Sequence, residues 1–245
     1  MRKAIKYIAV FGLCLLLVGC RDQIKEVSEK TIDVAKDVVT DEPSYDRYDL
    51  LMTKYVNDTK VYGTHVESGI YDQVVIEING ETHEYDWKSL ADDRFLPVIE
   101  YSDINGDGTN EAVFITTEYV AENVLDKKCH IVNTETFEEM ELPDAISFLQ
   151  DNITYKVEDD NVTFRIDDKE ICTVTKDTFE NPEEDQKLDE NKIEELLNIG
   201  TSIDFKTVVN KVHAYVMIIG NGQVLKDDVD VVFDYENETF ECKLN

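Results

Sequence analysis

Asp103-Ile104-Asn105-Gly106-Asp107-Gly108-Thr109-Asn110-Glu111 stands between two apolar runs, residues 96–101 and 112–117. Side-chain oxygens recur at alternate positions, Asp103, Asn105 and Asp107; Gly108 then permits a sharp turn, and Glu111 closes the set. Carboxylate and carbonyl oxygens alternating ahead of a glycine kink are the donor pattern that wraps one hard cation. With Asp103 as position one, Asn105 and Asp107 are three and five, the Thr109 carbonyl is seven and Glu111 is nine. Position twelve, where a helix–loop–helix calcium site needs a bidentate glutamate, is Phe114. The chain leaves the loop along Ala112-Val113-Phe114-Ile115-Thr116-Thr117, whose β-branched and aromatic content reads as a strand. The loop therefore joins two strands, and the fold expected around it is built from sheets.

Asp103, Asn105, Asp107, Thr109 and Glu111 are accordingly the expected ligands of a structural calcium ion. Without a bidentate closing ligand the affinity expected is on the order of 10⁻⁴ M or poorer, which suits extracellular calcium. A metal-free turn is the other reading of the same residues, because Asp, Asn and Gly are ordinary turn formers.

Outward from the loop the β pattern continues. Upstream, Val74-Val75-Ile76-Glu77-Ile78 runs into Asn79-Gly80 and an alternating stretch to Trp87. Asn-Gly between alternating runs predicts a two-residue hairpin, since both turn positions must accept positive φ. Downstream, residues 153–157, 162–166 and 169–175 read as strands, with residues 158–161 as a four-residue hairpin connection. Residues 203–209 and 211–219 follow; the second is nearly all apolar and reads as a central strand. A last hairpin alternates through Val229, Val231, Phe233 and Tyr235, then Phe240, Cys242 and Leu244. Helices are expected over 145–150, with Pro143 fitting a first helical turn, and over 190–198, ended by Gly200. Residues 45–56 carry Tyr48, Leu51, Met52 and Tyr55 at helical spacing and predict a third. The acid-rich stretch 176–192 reads as a solvated loop. His83 reads as a surface or cross-strand residue and His213 as a satisfied core histidine. The fold class expected is mainly β (α+β): antiparallel hairpin-rich sheets, sandwich-like or a partial propeller, with two or three short helices. One copy of the loop is present, where a full propeller repeats it.

The N-terminus is organised differently. Arg2, Lys3 and Lys6 precede an apolar run over residues 7–18, which is the length of a signal-peptide core and too short for a membrane span. It ends Leu17-Val18-Gly19-Cys20, which resembles the lipobox of bacterial lipoproteins. That resemblance implies cleavage before Cys20 and a diacylglyceryl thioether on its sulfur, whose acyl chains anchor the protein to a membrane. The divisions expected are a signal peptide over 1–19, a lipidated tether over 20–44 and one β-rich extracytoplasmic domain over 45–245. In the tether, Ile24, Val27, Val34, Ala35 and Val38 predict a weak amphipathic helix or stalk. Cys129, Cys172 and Cys242 remain for the domain; an odd number allows at most one internal bridge, so the chain is no disulfide scaffold.

The loop itself resembles the Asp-x-Asn-Gly-Asp-Gly-x-x-Glu loops of FG-GAP and VCBS repeat proteins, which link strands in propeller-like folds. The wider run from this loop through Cys129-His130-Ile131-Val132-Asn133 to Phe137-Glu138-Glu139-Met140-Glu141-Leu142-Pro143-Asp144 resembles a family of Gram-positive surface lipoproteins. In that family one such loop precedes a strand, a second strand carrying His-x-Val-Asn, a short helix and several hairpins. The resemblance runs over about residues 70–245 and implies a class of protein without an activity.

A net charge of −30 repels nucleic-acid phosphates, so no nucleic-acid partner is expected, and it favours cations and basic partners. The first function expected is a non-enzymatic, calcium-stiffened surface lipoprotein that binds a protein or cell-wall partner or serves the envelope. An extracytoplasmic hydrolase is the second; the chain lacks Gly-x-Ser-x-Gly and His-Glu-x-x-His, and among 54 acids no catalytic pair stands out. A solute-receptor lipoprotein is the third, opposed by hairpins where two α/β lobes would alternate strands with helices. Cys20→Ala is expected to abolish incorporation of radiolabelled palmitate and to release the protein from the membrane fraction. Palmitate retained by that variant would remove the anchor.

Overall fold

Residues 112–117 have no polar face, and a strand without one must be covered on both sides. The computed structural model, which describes residues 49–54, 56–122, 124–179 and 190–243, places them in that position. They belong to β7 (Glu111–Ala121), where every side chain from Glu111 to Thr117 is buried. Ala112 and Phe114 point into one apolar cluster and Val113 and Ile115 into another. The neighbouring β8 (Val124–Val132) divides in the same way: Val113 stands opposite Ile131 in one cluster, and Ala112 opposite Val132 in the other.

The first cluster is closed by a sheet of five strands, β1 (Asp49–Lys54), β2 (Thr59–Glu67), β3 (Ile70–Ile78), β4 (Glu81–Tyr85) and the short β5 (Ser89–Leu90). Its order is β1-β2-β3-β4, with β5 beside β3. Val61, Val74, Ile76 and Ile78 from this sheet pack on Ile99, Ala112, Phe114 and Val132 from the second sheet. The β3–β4 turn is the expected Asn79-Gly80, with φ of 53° and 86° and Ile78 paired to Glu81.

The second sheet has eight strands. β6 (Val98–Ser102), β7, β8 and β9 (Glu139–Met140) are followed along the chain by β13 (Leu197–Val208), β14 (Lys211–Gly220), β15 (Gln223–Asp234) and β16 (Thr239–Cys242). The order is β16-β15-β14-β13-β8-β7-β6, with β9 beside β8. All pairings are antiparallel except β13 with β8, joined at Ile203 and Asp126 and by the Lys127–Asp204 ion pair at 2.6 Å. Its second face buries Val212, Ala214, Val216, Ile218, Val229, Val231 and Phe233 under helix α1 (Ala145–Asn152). Asp144 caps α1 by accepting from the Ser147 N–H at 2.6 Å, so Pro143 lies before the cap and outside the first turn.

A third sheet, β10 (Ile153–Glu158), β11 (Asn161–Ile166) and β12 (Lys169–Thr175), packs Val162 and Phe164 against Phe179 and Ile193, the latter from helix α2 (Glu190–Leu196). The fold is thus mainly β with antiparallel sheets and fits a sandwich-like arrangement without a closed barrel among the described residues.

Three local expectations change. Residues 49–54 of the predicted 45–56 helix form β1, because its backbone groups pair with β2 and that pairing overrides a weak helical period. Residues 158–161 turn tightly, since Glu158 and Asn161 are themselves paired and only Asp159 and Asp160 form the connection. Gly200 does not end α2, which passes directly into β13. It sits inside β13, at φ +90° where the β14 pairing slips, and a Cβ there would come within 2.6 Å of Ile146 on α1. Glycine is needed there for helix-to-sheet approach. The proposed signal peptide and tether, with residues 180–189 of the acidic stretch, lie outside the described residues.

Phe114 is 1% exposed and fills the contact between the first two sheets. Phe114→Ala is expected to lower unfolding stability by about 3–5 kcal/mol, read from urea denaturation, because the cavity left in that contact has rigid walls.

Candidate functional site

β6 ends at Ser102 and β7 begins at Glu111, and these two residues are paired. Residues 103–110 are therefore a hairpin connection whose ends the second sheet holds fixed. Within it the polar side chains satisfy the backbone in order. Asn105 Oδ1 accepts from the Asp107 N–H at 2.8 Å, and Asp107 Oδ1 from the Thr109 N–H at 2.7 Å. Asp103 Oδ2 accepts from the Gly108 N–H at 3.1 Å. Gly106 and Gly108 take φ of 76° and 91°, which side-chain-bearing residues rarely adopt. The Thr109 N–H, ahead of the opposing effect of desolvation, holds the exposed Asp107 carboxyl below the usual aspartate range.

Glu111 is the deepest member of the loop, at 1% exposure. Its Oε2 accepts from the Ile104 N–H at 2.7 Å and more distantly from the Asn105 N–H at 3.4 Å; its Oε1 accepts from Asn105 Nδ2 at 3.0 Å. The same Nδ2 donates to Asp107 Oδ2 at 3.1 Å. Ile104 turns into the core beneath the sheet, so the loop is pinned by an apolar side chain below and by a carboxylate at its exit. Its entry is tied as well, since Ser102 Oγ donates to Asn210 Oδ1, at the β13–β14 turn, at 2.9 Å.

The five expected ligands are thus brought into one loop, but not into one cluster. Glu111, Asn105 and Asp107 meet at the Asn105 amide nitrogen; Asp103 stands on the Gly108 side, and Thr109 is exposed. Among the described residues no three carboxylate, imidazole or thiol side chains converge as a metal-binding group. Two features nevertheless fit a hard cation. Asp103 Oδ1 is buried without a hydrogen-bond partner, and Glu111 is a buried carboxylate with no Lys, Arg or His in ion-pair reach among the described residues. Oxygen donors of carboxylate, amide and carbonyl type suit calcium.

The other sequence candidates lie apart. His213 is 6% exposed and its Nδ1 lies 2.9 Å from Asp230 Oδ1, as expected of a satisfied core histidine. His83 is exposed on β4, opposite Ile76. Cys129, Cys172 and Cys242 are free, and burial raises each thiol, so none is activated as a nucleophile.

Pairing of β8 with β9 assembles a constellation that spacing along the chain did not reveal. His130 Nδ1 lies 2.8 Å from Glu139 Oε1, and Trp87 Nε1 donates to Glu139 Oε2 at 3.0 Å. The His130 ring stacks on Trp87 with centroids 3.9 Å apart, and Trp87 stacks on Tyr85 at 4.2 Å. His130 and Glu139 also border a cavity of about 440 Å³. The sequence signals were the lone tryptophan and the two runs that carry His130 and Glu139, and none of them paired these residues.

The chain matches no protein-family model, no curated protein and no solved structure.

Removing the Glu111 carboxylate leaves the buried Ile104 N–H without its acceptor. Glu111→Ala is therefore expected to cost about 1–3 kcal/mol in urea unfolding measured in chelator, and a cost near zero would show that the carboxylate does not pin the loop.

Proposed function

We propose that this chain is a lipid-anchored extracytoplasmic lipoprotein whose β domain holds a structural calcium ion in the 103–111 loop, and that it serves by binding or envelope support without catalysing a reaction. The observation that carries this reading is Glu111. A carboxylate 1% exposed, met by amide donors and by no cationic side chain among the described residues, offers hard oxygen ligands at the loop's exit that a cation would complement. The unpartnered Asp103 Oδ1 in the same loop supports the reading. Asp103, Asp107 and Glu111 would supply carboxylate oxygens and Thr109 its carbonyl. Asn105 would present its amide oxygen where its nitrogen now bridges Asp107 and Glu111. Bound calcium would neutralise the charge at the start of β7 and fasten β6 to β7.

The lipobox-like Leu17-Val18-Gly19-Cys20 supports placement outside the cell, where calcium is abundant enough for a weak site to fill. Non-catalytic action rests on the sequence: it carries no nucleophile elbow and no metalloprotease motif.

Thermal unfolding of the intact acylated protein in detergent tests the ion. At calcium tenfold above its dissociation constant, linkage gives about 1.4 kcal/mol of stabilisation, or a rise in Tm of roughly 3–6 °C over the chelated protein. Asp107→Ala should lose that rise, each protein being compared with its own chelated Tm because the variant also gives up the hydrogen bond from the Thr109 N–H. A wild-type Tm unmoved by millimolar calcium would remove the ion from the proposal.

A further inference from the structure

The β13–β14 turn carries a residue that its backbone disfavours. Val208 pairs with Lys211, and the two residues between them, Val209 and Asn210, take φ of 49° and 59°. A two-residue turn with positive φ at both positions selects Asn or Gly, and Asn210 conforms. Val209 does not. A β-branched side chain in the left-handed region is strained, and strain of this kind concentrates where function requires it. Packing does not account for it, since Val209 is 91% exposed, the most of any large apolar side chain among the described residues. Val208 beside it is exposed as well.

The charge around this turn also departs from the rest of the chain. Of 54 acids none falls between Phe205 and Lys226, whereas Lys206 and Lys211 flank the two valines. Both lysines are exposed, and neither forms an ion pair among the described residues. Lys206 Nζ lies 5.1 Å from the centre of the Tyr215 ring. The Asp234 carboxyl is held below the usual aspartate range first by Asn237 and least by Lys211. The turn is held in place, because β13 and β14 are paired up to its base and Ser102 Oγ donates to Asn210 Oδ1 at 2.9 Å. A fixed projection, apolar at its tip and cationic at its base, suits the interface of a phospholipid bilayer. There alkyl groups enter the acyl boundary while lysines stay at the phosphates.

Two valines bury too little area to bind a membrane alone, and the net charge of −30 opposes an anionic one. The proposed lipid anchor changes both terms. Acylation at Cys20 would make the contact intramolecular, so that a weak contact is filled by effective concentration. Residues 21–48 separate Cys20 from Asp49, a length that reaches at most about 95 Å. Asp103 and Asp107, in the loop tied to the turn through Ser102, oppose an anionic surface, and calcium held there would offset them.

We propose that the β13–β14 turn is a second membrane contact, in which Val208 and Val209 enter the bilayer interface and Lys206 and Lys211 meet phospholipid phosphates. The proposal rests on the lipid anchor proposed above. Its consequence is orientation: the domain stands with the 103–111 loop toward the bilayer.

The test uses the intact acylated protein in millimolar calcium on mixed vesicles of phosphatidylcholine and phosphatidylglycerol. Flotation with the vesicles reads the anchor, and a nitrobenzoxadiazole dye on Val209→Cys reads the turn. Wild type treated with the same dye supplies the background from its own thiols. The dye at 209 is expected to shift to the blue and to be quenched by lipids that carry a nitroxide on the acyl chain. The same dye on Gln223→Cys, exposed at the opposite end of β14, should stay in water. Lys206→Gln together with Lys211→Gln should weaken quenching at 209 by about fivefold or more. In solution, Val209→Asn should melt no lower than wild type, because asparagine tolerates the left-handed region. A protein that floats while its dye at 209 stays unshifted and unquenched overturns the proposal and leaves the anchor standing; a turn that instead enters a groove on another protein gives this result. Equal quenching at 209 and 223, quenching that the double lysine variant keeps in full, or a Val209→Asn protein that melts lower overturns it as well. A protein that does not float removes the anchor and the proposal with it.

Discussion

Coverage of β7 on both faces is the constraint from which the rest of the architecture follows. A strand that buries Ala112 and Phe114 on one side and Val113 and Ile115 on the other demands two separate layers. The five-stranded sheet supplies one, and on the other side these side chains join the apolar cluster that the rest of the second sheet shares with α1. Burial of this kind stabilises in proportion to the apolar area removed from water, so each layer is held mainly by what β7 and β8 present to it. Charged groups stand toward its ends, at Glu111 and Glu118, while Thr116 and Thr117 are buried within it. Tyr119 at one end is 53% exposed, and at the other end the chain turns at once into the acid-rich loop.

Glu111 belongs to both regions. It is the first residue of β7 and the last side chain of the loop, and it is buried because its strand is buried. A carboxylate in that place must be satisfied locally, and the loop wraps back so that the Ile104 N–H and the Asn105 amide reach it. The same geometry drives Ile104 into the core. Loop conformation and core packing are therefore coupled through two residues, and the proposed calcium ion would act on the strand junction more than on the surface.

On the opposite side, the two sheets are joined by aromatic and polar contacts as well as aliphatic ones. The Tyr85 hydroxyl donates to the Phe137 carbonyl at 2.8 Å, Trp87 lies between Tyr85 and His130, and Glu139 receives the indole N–H. The Tyr85–Phe137, Trp87–His130 and Trp87–Glu139 contacts cross from β4 and the β4–β5 connection to β8, β9 or the turn between them. Directional hydrogen bonds and ring stacking fix one relative placement of two layers that apolar burial alone would allow to slide. They also leave the His130 ring oriented at the rim of a cavity.

What the sequence determined by itself was local: the Asn79-Gly80 hairpin, the alternating strands to either side, the two-sided run after the loop, and a turn made from Asp103, Asn105, Asp107 and Gly108. These are written in near-neighbour terms, in the period of side-chain burial and the φ that a turn demands, and so they can be read without knowing what packs where. Tertiary structure alone decided the rest. Residues 49–54 became a strand because β2 offered a backbone partner, and Gly200 became a point of contact because α1 crosses there. Glu111 was legible as a possible ligand, but its burial was not, since depth depends on the layers assembled over β7. His130 and Glu139 had no spacing to mark them; the β8–β9 pairing and a tryptophan from the β4–β5 connection brought them together. Contacts between residues distant in the chain depend on how whole layers register, and a short stretch of sequence carries no term for that.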